Sequence, residues 1–140
     1  MNSTVALVVA AAIRDGAGRL LLQQRPEGKH HAGMWEFPGG KVEAHEKPRL
    51  SLVREVEEEL AIVLDPAALE PTGFAEEPPS ASHPAIVMLL YIADHRAGAW
   101  QGEVQPLEGQ AWGWFTREEA TGLDLPPMDR ALLAGLAKEP

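Results

Sequence analysis

The chain has 140 residues, 45% of them apolar, with 21 acidic against 12 basic side chains and a net charge of −9. That length and apolar content predict one domain over 1–140 with a buried core and exclude a disordered chain. The acidity excludes a protein that grips DNA or RNA strands by their phosphates, and leaves room for a small nucleotide whose charge is bridged by metal ions.

The absence of cysteine removes disulfides, thiol nucleophiles and cysteine–zinc sites, and fits a reducing cytoplasm. Val5–Ile13 is apolar and ends in small residues, but Met1 to Thr4 carry no Lys or Arg and a turn follows at once. It therefore reads as a buried strand rather than a signal peptide. Asp15-Gly16-Ala17-Gly18 is a turn, and Arg19–Gln24 is the partner strand. Pro26 to Gly33 is a loop in which His30 and His31 read as a solvent-exposed pair. Trp35-Glu36-Phe37 is extended and stopped by Pro38. Pro48 suits the first turn of a helix that runs to about Leu60.

A strand or two follow near Leu69–Ala75, then a loop at Pro78-Pro79-Ser80. Ala85–Ala93 is apolar throughout, which predicts a strand buried on both faces. Ala111–Phe115 is a further strand and Arg117–Ala120 a short helical turn. Residues 129–138 form a terminal amphipathic helix with Leu132, Leu133 and Leu136 inward. No run approaches the ~18 apolar residues of a membrane span. Strands and helices mixed without strict alternation predict an α+β domain, layered as an α/β/α sandwich.

Residues 39–62 read GGKVEAHEKPRLSLVREVEEELAI. On a helix, Glu55, Glu58 and Glu59 stand at i, i+3 and i+4 and share a face, while Leu52, Val53, Val56 and Leu60 lie on the neighbouring one. Gathering like charges costs about 0.2–0.5 kcal/mol per pair. A divalent cation reverses that penalty, since hard cations such as Mg²⁺ take oxygen ligands.

The stretch resembles the Nudix box, G-x5-E-x7-R-E-U-x-E-E-x-G-U with U aliphatic. Gly40, Glu46, Arg54, Glu55, Val56, Glu58, Glu59 and Ile62 fall on the pattern, and Ala61 stands where the family has glycine. Glycine there lets the chain leave the helix with positive φ, which costs a residue bearing a Cβ roughly 1–2 kcal/mol. LLLQQRP, WEFPGGKVE, EGQAWGWF and LPPMDRALL are similar to successive pieces of the MutT branch. The resemblance implies a mixed sheet between helices. It also implies hydrolysis of a nucleoside triphosphate to a monophosphate and pyrophosphate with Mg²⁺ or Mn²⁺. A monomer or homodimer is expected, and the charge and the apolar runs point to a partner that is neither nucleic-acid polymer nor membrane. An oxidised nucleotide such as 8-oxo-dGTP is the first expected substrate, and CTP, dCTP or 5-methyl-dCTP the second. ADP-ribose comes next, since Pro78 is near the place where that group often has a proline; a catalytically silent binding module is last.

The same resemblance implies the site. Glu55, Glu58 and Glu59 hold metal, with the main-chain carbonyl of Gly39. Arg54 orients a catalytic glutamate, and Gly40 and Glu46 support the site, Glu46 through water or metal. Glu108 adds a ligand or a base for water, its alternative being an ordinary loop acid. Arg25 reaches the nucleotide phosphates, which its forked guanidinium suits, with Lys41 assisting or simply at the surface. Phe37 stacks near the base or sits in the core. Asp129 falls where the branch has an asparagine that reads the base edge. An ionised carboxylate accepts from N7–H of 8-oxoguanine or from the cytosine amine; the alternative is an N-cap for the last helix.

Overall fold

The computed structural model describes residues 5–28 and 31–136. His30 and the end of the predicted 129–138 helix lie outside the described residues. Strand β1 (Val5–Arg14) runs parallel to β7 (Ala85–Asp94) along its whole length, from Val5 opposite Ala85 to Arg14 opposite Asp94. On its other edge β1 pairs antiparallel with β2 (Leu20–Gln24) near the turn and with β4 (Gly39–Lys41) further back. β6 (Glu70–Glu77) extends the sheet beyond β7, while β3 (Trp35–Glu36) and β9 (Trp112–Phe115) pair with β2. β5 (Val63–Leu64) and β8 (Trp100–Gln101) form a separate two-stranded ribbon.

The apolar run of β1 has a simple cause: both its faces are covered. Val9, Ala11 and Ile13 pack with Leu52, Val56 and Leu60 of α1 (Pro48–Leu60). Ala10 and Ala12 belong to the opposite cluster, with Leu132 and Leu133 of α3 (Pro127–Gly135) and Ala120 of α2 (Arg117–Thr121). Side chains alternate across a strand with period two, so one uniform stretch supplies two cores. The result is the expected α/β/α layering.

Of the strand or two expected near 69–75 there is one, β6, with a register shift between Pro71 and Gly73. Two expectations need correction. β7 is fully buried only toward its C-terminal half, at Leu90, Tyr91 and Ala93; Ala85 to Leu89 are half-buried. Ile86 and Met88 there line a cleft. Asp129 is not an N-cap: α3 starts at Pro127, is preceded by Pro126 with no capping side chain, and carries Asp129 inside its first turn. β4, β5 and β8 escaped the sequence reading because strands of two or three residues show no period.

Ala61 ends α1 in the left-handed conformation, φ 59° and ψ 22°, with its N–H bonded to the Glu57 carbonyl at 3.0 Å. The glycine geometry is thus kept by a residue that pays for its Cβ. Ala61→Gly should raise stability by about 0.5–1 kcal/mol, the relieved strain less the added freedom of the unfolded chain. Urea unfolding measures this, and an unchanged or lower midpoint would refute it.

Candidate active site

Arg54 sits on α1 between the acids around it. Its Nε donates to Glu46 Oε2 and its Nη2 to Glu46 Oε1, both at 3.0 Å. Nη1 reaches Glu55 Oε1 at 3.0 Å and Glu58 Oε2 at 3.5 Å. The buried Ser51 hydroxyl also donates to Glu46. These bonds, that from Arg54 foremost, hold the Glu46 carboxyl down at about 2. Glu46 therefore meets the site by a direct ion pair with Arg54.

The two glycines have separate reasons. A Cβ on Gly39 would lie 2.0 Å from the Val9 carbonyl oxygen, so only glycine lets β4 lie against β1 here. A Cβ on Gly40 would lie 2.4 Å from the Glu55 carboxyl carbon; its absence is the cradle in which that carboxylate rests. Gly39 also donates its N–H to Glu59 Oε1 at 3.2 Å, and the Gln23 amide donates to Glu59 Oε2 at 2.8 Å. Burial, with the charges of Glu36, Glu108 and Glu55 adding and the Gln23 bond opposing, pushes Glu59 up to about 8.

Acids crowded this way, one of them resisting ionisation, fit a divalent cation, which supplies the missing positive charge. Among the described residues no three acidic or histidine side chains stand in a ready-made ligand cluster. Arg54 and Gln23 occupy the box carboxylates instead.

A cleft of about 550 Å³ opens over this group, and Glu55, Glu58, Glu59 and Glu108 are among its lining residues. Glu108 is exposed, and its N–H donates to Gln110 Oε1 at 3.0 Å. Lys41 is exposed on β4 and also lines the cleft. Arg25 lines it too, but its Nη1 is paired with Glu36 Oε1 at 2.7 Å, so that contact competes with the expected reach to phosphate. Phe37, 4% exposed, belongs to the core cluster beneath α3 while bordering the cleft, which favours the core reading over a stacking face. Asp129 is 3% exposed, and its Oδ2 accepts the Phe37 N–H at 3.1 Å. Burial is the main reason its carboxyl is pushed up to about 7, with the Glu36 charge adding.

Several cleft residues went unnoticed in the sequence. Gln23 and Gln110 are buried and bonded to each other, Gln110 Nε2 to Gln23 Oε1 at 3.0 Å. Glu36 pairs with Arg25, and Ile86 and Met88 form apolar wall. Isolated amides and strand residues have no diagnostic spacing, so nothing signalled them. His31, expected in solvent, is instead partly buried on the cleft rim, where Glu77 lies 3.9 Å from it and 3.2 Å from His83.

A cleft lined by carboxylates, by apolar residues and by a buried acid suits a phosphate-bearing ligand held through divalent cations. Comparison with known proteins agrees. The NUDIX domain model matches residues 4–136. The chain is 38% identical to CTP pyrophosphohydrolase of Escherichia coli over 125 residues, 89% of this chain and 87% of that protein. It is 34% identical to 8-oxo-dGTP diphosphatase of Haemophilus influenzae over 139 residues, 99% of this chain and 96% of that protein. The crystal structure of a MutT NUDIX hydrolase from Burkholderia pseudomallei superposes with a TM-score of 0.77 at 30% identity, covering 95% of this chain and 98% of that one. The chain belongs to the Nudix family and is a hydrolase of nucleoside diphosphate-linked substrates. Hydrolases of this family work with divalent metal ions.

Proposed function

We propose that this chain, as a single Nudix domain, hydrolyses a nucleoside triphosphate to the monophosphate and pyrophosphate, and that its base is an oxidised guanine, as in 8-oxo-dGTP. Water attacks phosphorus, the bond to a bridging oxygen breaks, and the water proton passes to a carboxylate. Glu55, Glu58, Glu59, Glu108 and the Gly39 carbonyl would hold Mg²⁺, or Mn²⁺ in its place. The bound ions supply charge to neutralise the triphosphate and acidify the attacking water. Arg54 and Glu46 hold Glu55 and Glu58 in place, Gly40 leaves room for Glu55, and Arg25 and Lys41 provide positive charge near the phosphates. A cytoplasmic setting, where nucleotide pools lie, belongs to the same reading; among the described residues no helix is long and apolar enough to cross a membrane.

The observation that carries the choice of base is Asp129, buried where it lines the cleft and held up at about 7. Its neutral carboxyl offers a donor beside an acceptor. That pair matches O6 and N7–H of 8-oxoguanine, whereas guanine presents two acceptors. It also matches N3 and the amine of cytosine, and the likeness to the Escherichia coli CTP pyrophosphohydrolase favours cytosine nucleotides as the second reading.

Pyrophosphate release with Mg²⁺ across 8-oxo-dGTP, dGTP, CTP, dCTP and 5-methyl-dCTP decides between them. The kcat/KM for 8-oxo-dGTP should fall as pH rises through about 7, because the ionised acid loses the donor that meets O6, while N7–H, which the carboxylate still accepts, keeps dGTP the poorer substrate. In Asp129→Asn, which keeps a donor and an acceptor at every pH, that fall should be absent. Identical pH profiles for the two proteins would remove Asp129 from base recognition.

A further inference from the structure

Two buried amides join elements of the site that the charges alone would drive apart. Gln23 is 3% exposed and Gln110 7%. Gln110 Oε1 accepts the Glu108 N–H at 3.0 Å, and Gln110 Nε2 donates to Gln23 Oε1 at 3.0 Å and to the Glu59 carbonyl at 3.1 Å. Gln23 Nε2 then donates to Glu59 Oε2 at 2.8 Å. The relay therefore runs from the loop that bears Glu108, through β2, to the acid on α1. It has a direction. Turning the Gln23 amide would set its carbonyl oxygen against the Glu59 carboxylate. Turning the Gln110 amide would set a donor against the Glu108 N–H. A fully satisfied buried network of this kind has one arrangement, and a partly satisfied one is costly.

We propose that Gln23 and Gln110 are positioning residues that act as one unit, fixing Glu59 and the Glu108 loop at the separation a shared metal–triphosphate ligand requires. Glu59 and Glu108 both line the cleft, and two carboxylates that share one cation repel each other unless something neutral holds their supports together. The amides do this without adding charge, and so do not cancel the negative charge that a cation would neutralise. The proposal rests on the reading of Glu59 and Glu108 as parts of one site.

The test uses the full chain with Gln23→Leu, Gln110→Leu and the double variant. Turnover of the preferred nucleotide is measured with Mg²⁺, and Mn²⁺ binding to the nucleotide-free protein is followed by water proton relaxation. Each single change should lower kcat by roughly ten- to a hundredfold with KM little altered. The double should be no worse than the more damaging single, because a unit is lost once. Mn²⁺ affinity should fall in all three. Gln23→Asn, one methylene too short to bridge, should show the same kcat loss with an unchanged melting temperature, which separates positioning from folding. Losses that multiply in the double variant, or unaltered Mn²⁺ affinity, would overturn the relay. Glu59→Gln and Glu108→Gln run alongside. If they turn over normally, the site assignment fails and the relay with it. If they lose activity while the Gln23 and Gln110 variants keep wild-type kcat, the relay alone is overturned.

Discussion

Glu58→Gln should cut pyrophosphate release by on the order of a thousandfold or more while leaving the fold untouched. Its carboxylate is 60% exposed and meets Arg54 at 3.5 Å. An exposed pair of that kind contributes about 0–1 kcal/mol, so its loss does not threaten folding. The substitution removes one negative charge and leaves the shape nearly the same. Any large effect must therefore come from what the charge does to ligand. Glu59 would be a poorer test, since it is half-buried and bonded to Gly39 and Gln23. Steady-state turnover beside a melting curve reads both halves of the expectation. A Glu58→Gln protein with wild-type turnover would end the assignment of the acidic face to catalysis.

The metal-free protein should lose stability as pH rises from about 5 to about 8, by on the order of several kcal/mol. Glu59 and Asp129 are held up at about 8 and about 7, against ordinary values of 4.5 and 3.8. Between those limits the folded chain keeps protons that the unfolded chain has released. Stability from this source is therefore greatest toward the acid end of the window and declines through pH 7 and 8. Glu46 and Glu119 are shifted downward, so they titrate below this window and do not oppose the trend. A divalent cation should restore what Glu59 loses, since binding to the folded state adds stability by mass action. Urea unfolding of chelator-treated protein, with and without Mg²⁺, gives both curves. A metal-free curve that stays level or climbs toward pH 8 would contradict the burial-driven shifts, and a Mg²⁺ effect no larger at pH 8 than at pH 5 would detach Glu59 from the metal.

Much of the fold was legible because its signals are local. Pro48 and the left-handed residue at 61 bound α1 as the sequence reading had it. The apolar runs at 5–13 and 85–93 mark the two parallel central strands, although half of the second turned out to border the cleft. The family resemblance, built on residues 40–62, was confirmed by a match over residues 4–136. Asp129 shows the limit. Before a helical run an aspartate reads equally as a cap or a base contact. Only the start of α3 at Pro127 and the Phe37 N–H settle that it is not a cap.

By itself the sequence determined the family, the acidic helix face and the layered architecture, since each depends on spacing within a helix or strand. Tertiary structure alone decided which groups share the cleft. Gly40 makes room for Glu55 at fifteen residues' remove, Gln23 meets Glu59 across 36 residues and Gln110 across 87. Contacts of that separation arise when the sheet closes against α1, and the burial that follows is what raises Glu59 and Asp129. Periodicity reports neighbours along the chain; desolvation and long-range hydrogen bonds depend on neighbours in space.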